Sequence, residues 1–172
     1  MNPVLSVHKT ISVNAGRERA FEVFARRMAT WWPLDYHIAP LPAVDVIIEP
    51  MACGRWYEQA EDGSTCDWGR VVVWEPPARL VLAWQISADW RPDATIQSEV
   101  EVRFSEDGDS RTRIDLEHRR LESFGANAER MRDVFESESG WTGLLRSFAA
   151  AAVPTDQAAA DTHVATITGD GR

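Results

Sequence analysis

The sequence has only two cysteines, no run of Lys and Arg, and no long apolar stretch. Each shortage removes a class of function. No segment approaches the ~20 consecutive apolar residues that a membrane-spanning helix requires. The N-terminal MNPVLSVHKTISV has a charge at Lys9 and lacks an apolar core of signal-peptide length. Cytoplasmic residence is therefore expected. The net charge of −9 repels a phosphate backbone and no basic cluster offsets it, so nucleic acid is not an expected partner. His8, His37, Cys53, Cys66 and His118 show no paired spacing of the kind metal sites use, so no metal is expected. There is no glycine-rich phosphate loop either, and no cofactor is expected.

The cysteines add a geometric argument. A hairpin turning at residues 61–64 places Cys66 opposite Gln59 and Cys53 opposite Val72. The two are then separated by roughly 20 Å of strand, too far for a disulfide, and both are expected reduced.

What is present is tryptophan. Four of the eight lie in GRWYEQAEDGSTCDWGRVVVWEPPARLVLAW, residues 54–84. This stretch reads as three consecutive antiparallel strands, broken by the turn at Glu61–Ser64 and by Glu75-Pro76-Pro77, where proline lacks the N–H that a ladder needs. A sheet face with so many large rings has to be covered, or has to hold something.

The rest of the chain fits around this centre. Residues 4–13 alternate as a first strand. Arg17–Trp32 carries Phe21, Phe24, Met28 and Trp31 at helical spacing, and Pro33 disfavours continuing the helix beyond it. The stretch 31–41 reads as a short helical turn plus loop, 44–49 as a strand, and 88–95 as a loop. Ser98–Ser105 and Arg111–Arg119 alternate most strictly: Val100, Val102, Phe104, Ile114, Leu116 and His118 face one side, and charged residues face the other. Helical period returns over 126–135 and 140–153, and whether residues 137–140 kink or break the helix is open. The order strand, helix, about six antiparallel strands, helix predicts one α+β domain over 1–153, with a disordered tail at 154–172.

Several stretches together carry a family resemblance: GRWYEQ, CDWGRVVVWEPPARLVLAW and GWTGLLRSFAA. Over roughly residues 5–152 the chain resembles the START-like, or SRPBCC, superfamily, also called helix-grip or birch-pollen-allergen-like. Within it, the chain is similar to homologues of the heat-shock-protein-90 ATPase activator. The resemblance implies a curved antiparallel sheet of about six to seven strands wrapped around a long C-terminal helix, with an internal apolar cavity. Superfamily members carry lipids, sterols or hormones, and some cyclise polyketides or hydrolyse small substrates. The co-chaperone itself has a further domain before this one, whereas here the first strand begins at once, so ATPase activation is not the expected role.

Candidates for lining such a cavity are Trp31, Trp32, Trp56, Trp74, Trp84 and Trp141, together with His37 in the proline-rich loop and His118 on the inward face of its strand. Each tryptophan has the alternative reading of plain core. Alternation groups Trp84 with Leu80, Leu82 and Ile86, and that face is expected inside. Asp67 either caps the hairpin edge or pairs with Arg55 or Arg70, and Glu138 reads as helix-end solvation. No nucleophile–base pair is identifiable. The expected function is binding of a small hydrophobic or aromatic molecule, rather than catalysis. The alternatives are a polyketide cyclase or hydrolase using His118 as base, and a chaperone-associated interaction module. A homodimer stays open.

Overall fold

In the computed structural model, residues 5–154 are described. The expected tail therefore falls outside the described residues from position 155 onward. Strands β1 (Val7–Val13), β2 (Ala43–Ile48), β3 (Arg55–Ala60), β4 (Thr65–Glu75), β5 (Arg79–Trp84), β6 (Ser98–Glu106) and β7 (Thr112–Arg119) form one antiparallel sheet in the order β1-β7-β6-β5-β4-β3-β2. The sheet curls into a half-barrel. Bulges in the β2/β3, β3/β4 and β4/β5 pairings contribute to the curl, since an extra residue on one strand increases local twist. Helices α1 (Arg17–Arg26), α2 (Ala128–Glu136) and α3 (Gly143–Ala152) complete the domain, which is the helix-grip arrangement.

Period-two patterning explains the sheet's inner face. Leu80, Leu82 and Trp84 on β5, Val100, Val102 and Phe104 on β6, and Ile114 and Leu116 on β7 are all buried. Helix α1 lays Phe21 and Phe24 onto this layer, and α3 adds Leu144, Leu145 and Phe148. The two helices are tied at α3's C-terminus, where Arg19 Nε donates to the Ala152 carbonyl at 2.8 Å and satisfies an end carbonyl the helix leaves free. The outer face of β5–β7 is charged, as the alternation predicts, but tightly paired. Glu101 receives hydrogen bonds from Arg79 at 2.8 Å and Arg103 at 3.1 Å, with Arg119 at 3.4 Å. Partial burial would push its carboxyl up, yet the hydrogen bonds from Arg79 and Arg103 outweigh this and hold it below the usual carboxylate range.

Three expectations need correction. Cys66 faces Glu58, not Gln59, because the hairpin turn closes one residue tighter than expected, with the Ala60 amide bonded to the Ser64 carbonyl. The extra residue at Trp68 restores the expected register beyond it, at Arg55–Arg70. Cys53 precedes β3, its amide donating to the Val71 carbonyl at 2.8 Å and not standing opposite Val72, and both thiols are free. The first helix ends at Arg26; the chain tightens into a 3-10 turn at Met28–Thr30, which brings the adjacent Trp31 and Trp32 both into the interior.

The open question at residues 137–140 is resolved as a break. Ser137 is extended (φ −72°, ψ 172°), and Gly140 is non-helical (φ −95°, ψ −140°) inside a wide turn over Glu138–Thr142. A Cβ on Gly140 would collide with the Val134 and Phe135 carbonyls, so this turn requires glycine there. Glu138 is exposed and paired with Arg146, in keeping with a solvated helix end.

Candidate ligand cavity

The helix break opens a cavity of about 260 Å³ between the sheet and the α2–α3 junction. Each wall comes from a different element. Trp84 projects inward from the end of β5, with Ile86 two residues on along the same face. Trp32 arrives from the turn after α1, and Val134 and Phe135 come from α2. Ser139, Gly140 and Trp141 belong to the wide turn, and Leu144 to α3. Trp68 owes its place to the β4 bulge. Strict alternation from Val71 and Gly69 would turn Trp68 outward, and the extra residue turns it in. Gly69 permits the close strand approach, since a Cβ there would run into the Ala83 carbonyl oxygen.

The mouth is formed by two loops. Tyr36, His37 and Ile38 lie on one side and Trp90 on the other. Trp90 is 45% exposed and adopts a left-handed φ of 59°, an uncommon conformation for so bulky a residue. The first loop is anchored from below. Glu58, only 2% exposed, accepts through Oε1 from the Ile38 amide at 2.7 Å, the Ala39 amide at 3.3 Å and the Trp68 indole at 2.9 Å. One carboxylate oxygen thus fixes both a mouth loop and a wall.

Of the eight candidate residues, the structure brings Trp32, His37, Trp84 and Trp141 together at the cavity. The other four lie elsewhere. Trp31 is core, its indole donating to the Val23 carbonyl at 3.1 Å and its ring packed against Phe24 and Phe148. Trp56 sits behind the wall, in contact with Trp32, Trp68 and Trp84. Trp74 lies at the opposite end of the β4–β5 pair, edge-on to Phe21 and beneath the Arg26 guanidinium.

His118 does face inward, but one layer back. Its Nδ1 accepts from the Trp141 indole at 3.1 Å, which leaves the proton on Nε2 to donate to Ser98 Oγ at 3.2 Å. Ser98 in turn donates to the Trp84 carbonyl at 3.0 Å. Burial pushes the imidazole pKa down to about 3, so it is neutral over the physiological range. Both of its nitrogens are occupied and neither reaches the cavity, so the imidazole orients a wall and is not placed as a base.

Trp68, Trp90, Tyr36 and Phe135 escaped the sequence reading. Only Trp68 carried a signal, the glycine that follows it inside a strand, which commonly marks a bulge. Asp67, next to it, forms its ion pair with Arg55 through two hydrogen bonds, the longer 2.9 Å.

Chemically the cavity is apolar and uncharged. Five indoles line it, and its polar groups are confined to Tyr36, His37 and Ser139 and to the indole N–H groups; no Asp, Glu, Lys or Arg lines it. Among the described residues no group of three His, Cys, Asp or Glu side chains is placed to hold a metal ion, and no helix is long and apolar enough to cross a membrane.

Comparison with known proteins agrees with this architecture. The chain is similar to the solved structure of an anthrahydroquino-gamma-pyrone synthase, Txn09, at 35% identity, covering 85% of this chain and 96% of that one, with a TM-score of 0.61. It is similar to CalC, a self-sacrificing resistance protein from Micromonospora echinospora, at 29% identity over 86% of this chain and 93% of that one, with a TM-score of 0.64. Protein NE0264 from Nitrosomonas europaea shares the fold at 14% identity, covering 86% and 94%, with a TM-score of 0.59. None of the curated proteins matches. The family model described as Activator of Hsp90 ATPase homolog 1-like protein matches residues 14–152, and the chain belongs to that family.

Proposed function

We propose that this protein binds a small, largely apolar or aromatic molecule in the cavity between the sheet and the α2–α3 junction. The observation that carries the reading is the wall itself, five indoles around about 260 Å³ with no charged side chain. Ligand sites are concave, mostly apolar and fitted with a few polar groups, and this cavity has that character at a volume just below the usual range. A cytoplasmic location belongs to the same proposal, supported by the two free cysteines.

The test is native mass spectrometry of freshly purified protein beside a denatured sample, followed by titration with aromatic and lipid compounds read through tryptophan fluorescence. A discrete mass lost on denaturation, or saturable quenching by an aromatic compound, is expected. Failure of every compound to perturb the indoles would end the binder reading.

A second reading, a cyclase-type enzyme, is favoured by one observation. His37 lines the cavity and its Nδ1 lies 2.9 Å from the Ala39 carbonyl, which fixes the proton on Nδ1 and leaves Nε2 as a basic lone pair. The similarity to Txn09, described as a synthase, supports this reading. It moves the base from His118 to His37. His37→Asn should then abolish turnover of an accepted polyketide-like substrate while leaving its binding within about threefold; unchanged turnover would remove His37 from the role.

A further inference from the structure

Six of the eight tryptophans are buried, and their indole N–H groups divide into two sets. Three are satisfied: Trp31 by the Val23 carbonyl, Trp68 by Glu58 and Trp141 by His118. The N–H groups of Trp32, Trp56 and Trp84 are closed to solvent and have no hydrogen-bond partner among the described residues. The division is spatial as well. The three unpartnered indoles touch one another, with ring centroids 6.4 Å apart for Trp32–Trp56, 5.6 Å for Trp56–Trp84 and 6.5 Å for Trp32–Trp84. Two of them, Trp32 and Trp84, are cavity walls, and they are only 5% and 4% exposed.

Buried donors are almost always paired, and leaving one unpaired is costly. A chain that pairs the indoles of its other buried tryptophans, yet leaves three unpaired donors side by side, two on cavity walls and one directly behind them, has concentrated its unmet hydrogen-bonding capacity at one place. Phenylalanine would fill a wall without that cost, so the N–H groups matter for what the wall contacts. Trp32 and Trp84 form the wall, but neither N–H is open to the cavity as it stands, so a seated oxygen must turn one of these rings until its N–H reaches it. An acceptor in that position recovers the missing bond in a water-poor setting, where it is strongest. The absence of any charged lining side chain restricts the acceptor further, because a carboxylate or phosphate would enter without a counter-charge.

The geometry points to an uncharged ligand whose aromatic body carries a carbonyl-type oxygen, as in an aryl ketone, quinone or pyrone, and whose oxygen accepts from the indole N–H of Trp32 or Trp84. This assignment rests on the proposal that the cavity binds a small aromatic molecule, and it names the recognition element within it. Trp32 and Trp84 become the residues that discriminate an oxygenated ring system from a hydrocarbon of the same shape. Sites built to hydrogen-bond a substrate reject the analogue lacking that group far more strongly than apolar sites reject a change in size.

The test uses matched probes on the full chain. α-Tetralone and tetralin share one bicycle and differ in a carbonyl, and the α-carboxylate of tetralin supplies a charged version. Dissociation constants are measured by calorimetry for wild type and for the Trp32→Phe/Trp84→Phe double variant. Tetralin is the more hydrophobic compound and would win in a purely apolar cavity. The expected result is the reverse, with α-tetralone bound about tenfold more tightly than tetralin and the carboxylate more weakly than either. In the double variant the preference should fall to parity or below, the ratio being read independently of any change that the smaller rings make to tetralin affinity. Equal or tighter binding of tetralin by wild type overturns the inference and leaves the binder reading standing. A preference that survives in the double variant overturns the assignment of the donors, and tightest binding of the carboxylate overturns the requirement for an uncharged ligand. Binding of none of the three overturns the binder reading and this inference together.

Discussion

The indole of Trp141 and the imidazole of His118 are joined by one hydrogen bond of 3.1 Å, Nε1 to Nδ1, with the cavity on the far side of the indole. This bond decides the tautomer of a fully buried histidine and the orientation of a cavity wall at once. The relay through Ser98 to the Trp84 carbonyl extends the same constraint to a second wall.

The histidine should make stability depend on pH. Its folded pKa, near 3, lies below its unfolded value, near 6.5. Between these values the unfolded chain binds a proton that the native chain refuses, so stability falls as pH drops from about 6.5, by up to about 1.4 kcal/mol per unit. Urea unfolding at pH 7 and pH 5 should show this loss in wild type and a smaller one in His118→Gln, whose amide can still accept from Trp141. Equal pH dependence in the two proteins would contradict the assignment.

Glu58 anchors the loop at the mouth. Glu58→Ala removes the acceptor shared by the Ile38 and Ala39 amides and the Trp68 indole, and is expected to cost about 2–4 kcal/mol. Glu58→Gln keeps one acceptor oxygen and should cost less. Amide hydrogen exchange at Ile38 and Ala39 should accelerate more than at β6, whose amides serve as the internal reference.

Gly69 is required by contact with the neighbouring strand. Gly69→Ala drives a methyl into the Ala83 carbonyl, and the backbone must separate β4 from β5 to admit it. A loss of about 1–3 kcal/mol is expected, read from the denaturation midpoint with an unchanged slope. Neutral behaviour would mean that the bulge at Trp68 is more adaptable than its geometry indicates.

Trp84 is both wall and filling. It contacts Trp56, Phe135 and His118, so Trp84→Ala should cost about 3–5 kcal/mol and weaken ligand binding as well. A loss below about 1 kcal/mol would mark it as a loosely packed cavity residue. Unchanged ligand affinity would remove it from the site.

Period-two patterning carried most of the fold. Val100, Val102, Phe104, Ile114 and Leu116 are buried as their alternation requires, and β6 and β7 begin and end within about a residue of their expected limits. The same rule misled wherever β4 departs from it. The bulge at Trp68 turned an unsuspected indole into the cavity, while the tighter hairpin turn moved Cys66 by one partner. Alternation also tells which face a side chain occupies but not how far along the strand its neighbours lie. Trp74 and Trp84 both face the concave side, yet Trp74 pairs with Leu80 and Trp84 with Gly69, at opposite ends of the β4–β5 ladder. His118 was legible as inward-facing; that a ring of Trp141 stands between it and the cavity was not, because local sequence does not reveal second layers. Tyr36 and Trp90 sit in loops with no periodicity to read.

The interruption at Ser137–Gly140 separates two rigid arms. Val134 and Phe135 ride on one, Leu144 rides on the other, and Trp141 stands at the joint. The span across the cavity is therefore set by an angle between two short rods, and not by the bulk of any single side chain. A change of a few backbone torsions at this joint would rescale the chamber while the sheet-borne walls, Trp68 and Trp84, stay in place.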